Sequence, residues 1–162
     1  MAHAKLIHRK GDVEGAKTIY RKMLDVDPDN WEALCFMGVA EQQQQNLSSA
    51  RKFLERALKL APNSPMVQAN FANVLFLSKD FNGAQVIYKN LLHSQPNNPT
   101  FLANYGISLS QQQDKYDKRE ALEFLDRAVT LDPNNVDLLS ARGVTKASLG
   151  LFDGAIRDLK KI

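Results

Sequence analysis

A single spacing constrains this chain more than any other feature. Prolines stand at Pro28, Pro62, Pro96 and Pro133, separated by 34, 34 and 37 residues, and an alanine precedes each by twelve: Ala16, Ala50, Ala84 and Ala121. A fifth alanine, Ala155, follows Ala121 by 34 residues. Four residues after each alanine comes a large apolar side chain, namely Tyr20, Leu54, Tyr88, Leu125 and Leu159. A unit of this length cannot bury its own apolar face and must stack on copies of itself, so the repeat dictates the fold.

The 162 residues hold four to five such units in one domain spanning 1–162, with repeats at about 1–30, 31–64, 65–98, 99–135 and an incomplete 136–162. Hydrophobic residues make up 44% and charged residues 24%, as in a soluble protein. No apolar run approaches the ~20 residues that span a bilayer, and Met1 to Lys10 lacks the core of a signal peptide, so no membrane insertion is expected. The single cysteine, Cys35, excludes an intrachain disulfide framework and fits a reducing, cytoplasmic setting. Twenty-one basic and 18 acidic residues leave a net charge of +3, but they are interleaved, as in Arg51-Lys52 with Glu55-Arg56. Basic runs occur only at opposite ends, Lys5 to Lys10 and Arg157 to Lys161, so the clustered stripe that nucleic-acid binding needs is missing.

Within each unit the pattern reads helix, short turn, helix, with no strand. Asp12, Asn46, Asp80 and Asp117 share the position just before the second helix, where a short side-chain oxygen accepts from free N–H groups of the first turn. Asn30, Ser64, Asn98 and Asn135 open the first helices, and Pro65 and Pro99 take the first helical position that tolerates proline. The helices expected are 2–10, 13–26, 31–44, 47–60, 65–78, 81–94, 99–113, 118–131, 136–148 and 152–161. Three extra residues in Gln111 to Tyr116 are expected to lengthen a helix or loosen a turn.

These residues resemble the tetratricopeptide repeat. Its pattern adds a small residue near the middle of the first helix, matched here by Ala4, Gly38, Ala72, Gly106 and Gly143. Large residues flank it well in the fourth unit (Leu102, Tyr105, Leu109) and partly in the third (Phe71, Leu75). They give way to Glu41 in the second unit and to Arg142 and Lys146 in the fifth, departures that suggest local exposure or an edge of the array. The resemblance implies an all-α, right-handed superhelical solenoid of antiparallel helix pairs. The first unit opens partway through its first helix and the fifth stops before its expected proline, so the parent chain is expected to continue.

No Gly-rich phosphate loop, His-Glu-x-x-His, Cys-x-x-Cys or Gly-x-Ser-x-Gly is present, so no catalytic residues, cofactor or metal are expected. His3 and His8 lie five apart and do not share a helix face, and Cys35 has no evident basic neighbour to activate it. In tetratricopeptide arrays the first helices line a concave groove that binds protein or peptide. The resemblance puts Lys5, His8 and Arg9 there from unit one, and Cys35, Phe36, Val39, Gln42 and Gln43 from unit two. It adds Ala69, Asn70, Asn73, Phe76 and Leu77 from unit three, Ala103, Asn104, Ile107 and Ser110 from unit four, and Asp137, Ser140, Ala141, Val144 and Ala147 from unit five. A clamp for a free C-terminal carboxylate would need cations where Ala69, Asp137 and Ala141 stand, which argues against chaperone tails.

Asn70 and Asn104 are 34 residues apart, with Asn73 one turn beyond Asn70. They are similar to the asparagine ladder of the O-linked N-acetylglucosamine transferase repeat region, in which amides serve the backbone of an extended peptide. Phe36 and Ala141 interrupt the ladder, leaving Phe36, Phe76 and Leu77 as apolar contacts. Asparagine on an exposed helix face also occurs without any such role. The competing reading is a structural or oligomerisation module beside a catalytic domain outside this segment. Its surface is the last helix, where Phe152, Ile156 and Leu159, with Leu151 and Ile162, form an uncapped apolar face suited to a homo-oligomer.

Overall fold

The computed structural model describes residues 11–162, which fall into two compact units, one ending at Ser78 and the other beginning at Lys79. The helix expected over 2–10, with His3, Ala4, Lys5, His8 and Arg9, lies outside the described residues.

In the first unit, α1 (Val13–Val26), α2 (Trp31–Gln43), α3 (Leu47–Leu60) and α4 (Pro65–Leu77) each pack on the next, and α2 also meets α4. The second unit holds α5 (Phe81–Ser94), α6 (Pro99–Ser110), α7 (Lys115–Leu131), α8 (Val136–Ser148) and α9 (Phe152–Leu159). Consecutive helices again pack together, and α6 meets α8. No strand occurs among the described residues.

The repeated residues are the joints of these hairpins. Ala16, Ala50, Ala84, Ala121 and Ala155 are all buried, as are Tyr20, Leu54, Tyr88 and Leu125. The small residue of the first helix sits against them: a Cβ on Gly38 would stand 2.6 Å from Leu54 Cγ, and one on Gly106 3.0 Å from Leu125 Cγ. Small residue, alanine and large residue thus form one contact, in which the helix backbones approach closely enough that a methyl group is already too much. A further tie recurs twice. Arg56 donates to the Pro28 carbonyl at 2.8 Å and Arg127 to the Pro96 carbonyl at 2.5 Å, fastening a second helix to the preceding turn.

Asp12 and Asp80 cap α1 and α5 as expected, accepting from Gly15 N at 2.8 Å and Gly83 N at 3.1 Å. Asn46 precedes α3 but makes no side-chain cap; its amide donates to Glu41 Oε2 at 3.0 Å instead. In the fourth repeat the N-cap is Asp114, so α7 begins three residues before the expected 118 and Asp117 falls within its first turn. The extra residues therefore lengthen the helix. The other repeats turn through a left-handed residue at one shared position, Gly11, Gln45, Lys79 and Gly150, with φ of 91°, 63°, 62° and 79°.

Candidate functional site

The second helices α3 and α9 carry their apolar residues on one face, whereas the first helices α2, α4 and α6 are apolar all round. A helix of the second kind needs neighbours on every side, or it leaves apolar side chains at the surface. Here it leaves several. In the first unit, Val39 on α2 and Asn73 and Phe76 on α4 are half-buried and Leu77 is exposed. In the second unit, Ile107 on α6 is half-buried and Val144 on α8 is exposed.

The remaining groove residues are engaged with their own unit. Phe36 stacks on the Tyr20 ring, with centroids 5.9 Å apart and planes 20° from parallel, and joins the cluster of Ala16, Tyr20 and Met37. Cys35 is fully buried, which separates it from oxidants and from any ligand. Asn70 donates its amide to Cys35 Sγ at 3.4 Å, and Asn104 donates to the Tyr88 hydroxyl at 3.0 Å. Burial pushes that hydroxyl up to about 12, against the pull of the Asn104 bond. Each asparagine thus commits a donor to packing. The two amides bond inside different units.

Glu41, Arg142 and Lys146 correct the expectation of exposure. Glu41 is only 8% exposed and pairs with the buried Lys17 at 2.9 Å. Lys17 Nζ also donates to Gln44 Oε1 at 2.6 Å, and Gln44 Nε2 donates to Glu14 at 2.5 Å. The Gln44 bond, with help from Lys17, holds the exposed Glu14 carboxyl below its usual range. In the second unit, Asp158 is 3% exposed and accepts from Arg142 Nε at 2.8 Å, Arg142 Nη2 at 2.5 Å and Lys146 Nζ at 2.9 Å. Burial alone would raise its carboxyl, but Arg142 and Lys146 together hold it below the usual carboxylate range. Burial likewise opposes the charge on Arg142, and Asp158 and Asp126 outweigh it, so the guanidinium is held more firmly charged. A signal for this network was present in the sequence: Arg142, Lys146 and Asp158 occupy apolar repeat positions of one hairpin with opposite signs.

Among the described residues no group of three or more His, Cys, Asp or Glu side chains could hold a metal ion, and no helix is long and apolar enough to cross a membrane.

Residues 8–70 match the tetratricopeptide repeat family model. Among curated proteins, the BBSome complex member BBS4 of Bos taurus is 26% identical over 98% of this chain and 30% of its own length. The CTR9 homolog of Arabidopsis thaliana is 24% identical over 80% of this chain and 12% of its own. The chain thus spans less than a third of these relatives. Among solved structures, YrrB, described as a TPR protein with an unusual peptide-binding site, superposes with a TM-score of 0.83 at 21% identity, covering 98% of this chain and 80% of that one. MamA from Desulfovibrio magneticus superposes at 0.85 and 19% identity, covering 99% and 89%. At these identities the likeness shows the fold, an all-α helical-repeat superhelix.

Proposed function

We propose that this chain, a tetratricopeptide-repeat protein, is a protein-interaction scaffold whose first helices hold an extended segment of a partner and which carries no chemistry of its own. The observation that supports this most is the incomplete burial of helices that are apolar all round. In the first unit Val39, Phe76 and Leu77 combine apolar surface with the amide of Asn73, which suits a peptide that offers both side chains and backbone, and in the second unit Ile107 and Val144 leave apolar surface of the same kind. Asn70 in the first unit and Asn104 in the second each offer a carbonyl oxygen as an acceptor for backbone N–H groups. YrrB, with its peptide-binding site, and BBS4, a member of a complex, are relatives of the kind this reading expects. The interleaved charge argues for a protein rather than a nucleic-acid partner, and the single buried cysteine for a cytoplasmic setting.

Selection of a random peptide display library on the full chain tests this reading. Selected peptides should lose about tenfold in affinity, roughly 1.4 kcal/mol, against Leu77→Glu and somewhat less against Asn73→Ala. Peptides that bind both variants as tightly as the parent chain would overturn it.

A further inference from the structure

Charge is distributed unevenly between the two kinds of helix. Along α3, a second helix, Arg51, Lys52, Glu55, Arg56 and Lys59 all reach water. The first helices α4 and α6 contain no aspartate, glutamate, lysine, arginine or histidine. Burial does not account for the difference. On α4, Gln68, Asn70 and Asn73 are half-buried and Leu77 is exposed, and on α6 Asn104, Ile107 and Ser110 are half-buried. Positions that reach water are where charged side chains ordinarily stand, as the half-buried Glu55 does on α3. The charges that α2 and α8 carry beyond their first turns are neutralised inside their own hairpins: Glu41 pairs with Lys17, and Arg142 and Lys146 pair with Asp158. Glu32 and Asp137 stand in the first turns of those two helices, at their ends.

We propose that the partner segment is itself uncharged over the stretch in contact, with apolar residues and amide or hydroxyl side chains between them. This rests on the reading of the chain as an interaction scaffold and names the chemistry of what it holds. The physical reason is desolvation. A carboxylate or ammonium laid against α4 or α6 would give up water and meet no opposite charge on either helix, which costs far more than its methylenes gain by contact. A neutral segment meets no such penalty. Its apolar side chains find Leu77 in the first unit and Ile107 in the second, and its polar ones find the Asn73 amide. A surface without charge rejects both signs alike, so it selects by what it lacks. Binding that forms no ion pair should also be insensitive to salt.

Display selection on the full chain supplies the probe, a selected peptide whose contacting positions are found by alanine replacement. At those positions glutamate and lysine should each weaken binding about tenfold, whichever the sign. Raising salt from roughly 0.05 M to roughly 0.5 M should change the affinity of the unaltered peptide by less than about twofold. At least one lysine-bearing peptide should regain about tenfold against Leu77→Glu, a change at an exposed position that should leave the circular dichroism unchanged. Selected peptides with acidic or basic residues at the contacting positions, an affinity that falls about tenfold across that salt range, or no lysine-bearing peptide recovered by Leu77→Glu would overturn the uncharged partner and leave the scaffold standing. Peptides that bind Leu77→Glu and Asn73→Ala as tightly as the parent chain would overturn the scaffold reading and this inference with it.

Discussion

The fourth and fifth repeats close the same joint with opposite chemistry. In the fourth, Tyr105 on α6 meets Phe124 on α7 edge to face, centroids 4.7 Å apart and planes at 87°. At the equivalent positions of the fifth, Arg142 on α8 grips Asp158 on α9 through two hydrogen bonds, and Lys146 adds a third where the fourth repeat has Leu109. The backbone arrangement survives the exchange because the close contact of glycine, alanine and leucine beneath it is unchanged. The two joints should nevertheless fail differently. An aromatic pair contributes about 0.5–1.5 kcal/mol beyond its buried area. A buried ion pair adds little net stability while complete and leaves an expensive orphan when broken.

The largest effect should therefore come from Asp158→Ala, which strands Lys146 in the hairpin and leaves Arg142 only Asp126, at a cost of roughly 3 kcal/mol. Hydrogen exchange of the α8 and α9 amides reads this locally, since each repeat depends mainly on its neighbours. Installing the fourth repeat's residues together, Arg142→Tyr, Lys146→Leu and Asp158→Phe, should restore protection to the parent level or above. Failure of that triple variant would mean that the charges orient α9 as well as fill space.

Next in size is the glycine contact. Gly106→Ala would press on a fully buried Leu125, including its backbone nitrogen at 3.2 Å, and should cost about 1–3 kcal/mol. Gly143→Ala meets Leu159 at 3.0 Å, but that side chain is half in solvent and can swing away. There the gain in helix propensity, about 1 kcal/mol, should cancel most of the strain. Equal losses by thermal denaturation would show that Leu159 is held as firmly as Leu125.

Acid should separate the repeats more gently. Because the folded Asp158 carboxyl lies below its unfolded value, the folded state binds fewer protons between the two values and stability rises with pH there. Its contribution is complete above the ordinary carboxylate range and is lost as pH falls through the lowered folded value. Protection of α9 should decline over that window, and the decline should vanish in the Arg142→Tyr, Lys146→Leu, Asp158→Phe chain. Smallest should be the turns: Gln45→Gly, relieving a left-handed glutamine, should stabilise by about 0.5 kcal/mol, and Gly150→Ala should destabilise by about 1 kcal/mol. A turn that ignores both changes is not strained.

Most of the helices could be read from the chain because their causes are local. Alanine, large residue and proline recur at positions that one helical hairpin must bury, and asparagine or aspartate caps lie within three residues of the amides they serve. Locality also explains the misses. Asp117 shared the capping register, but Asp114 lay nearer the start that the longer α7 adopted. Asn46 looked like a cap until Glu41, across the turn, claimed its amide. Gln45 and Lys79 gave no hint of left-handed backbone, because neither is a residue type that favours it.

The sequence by itself determined the repeat, the helix pairs and the contact of small residue, alanine and large residue, since each follows from side-chain size at fixed spacing. Only the tertiary structure decided that Glu41 is interior with Lys17, that Arg142 and Lys146 converge on Asp158, and that Asn70 and Asn104 each commit a donor to a neighbour. In each case the deciding partner sits on another helix, and whether a charge or an amide faces water depends on what that helix brings against it.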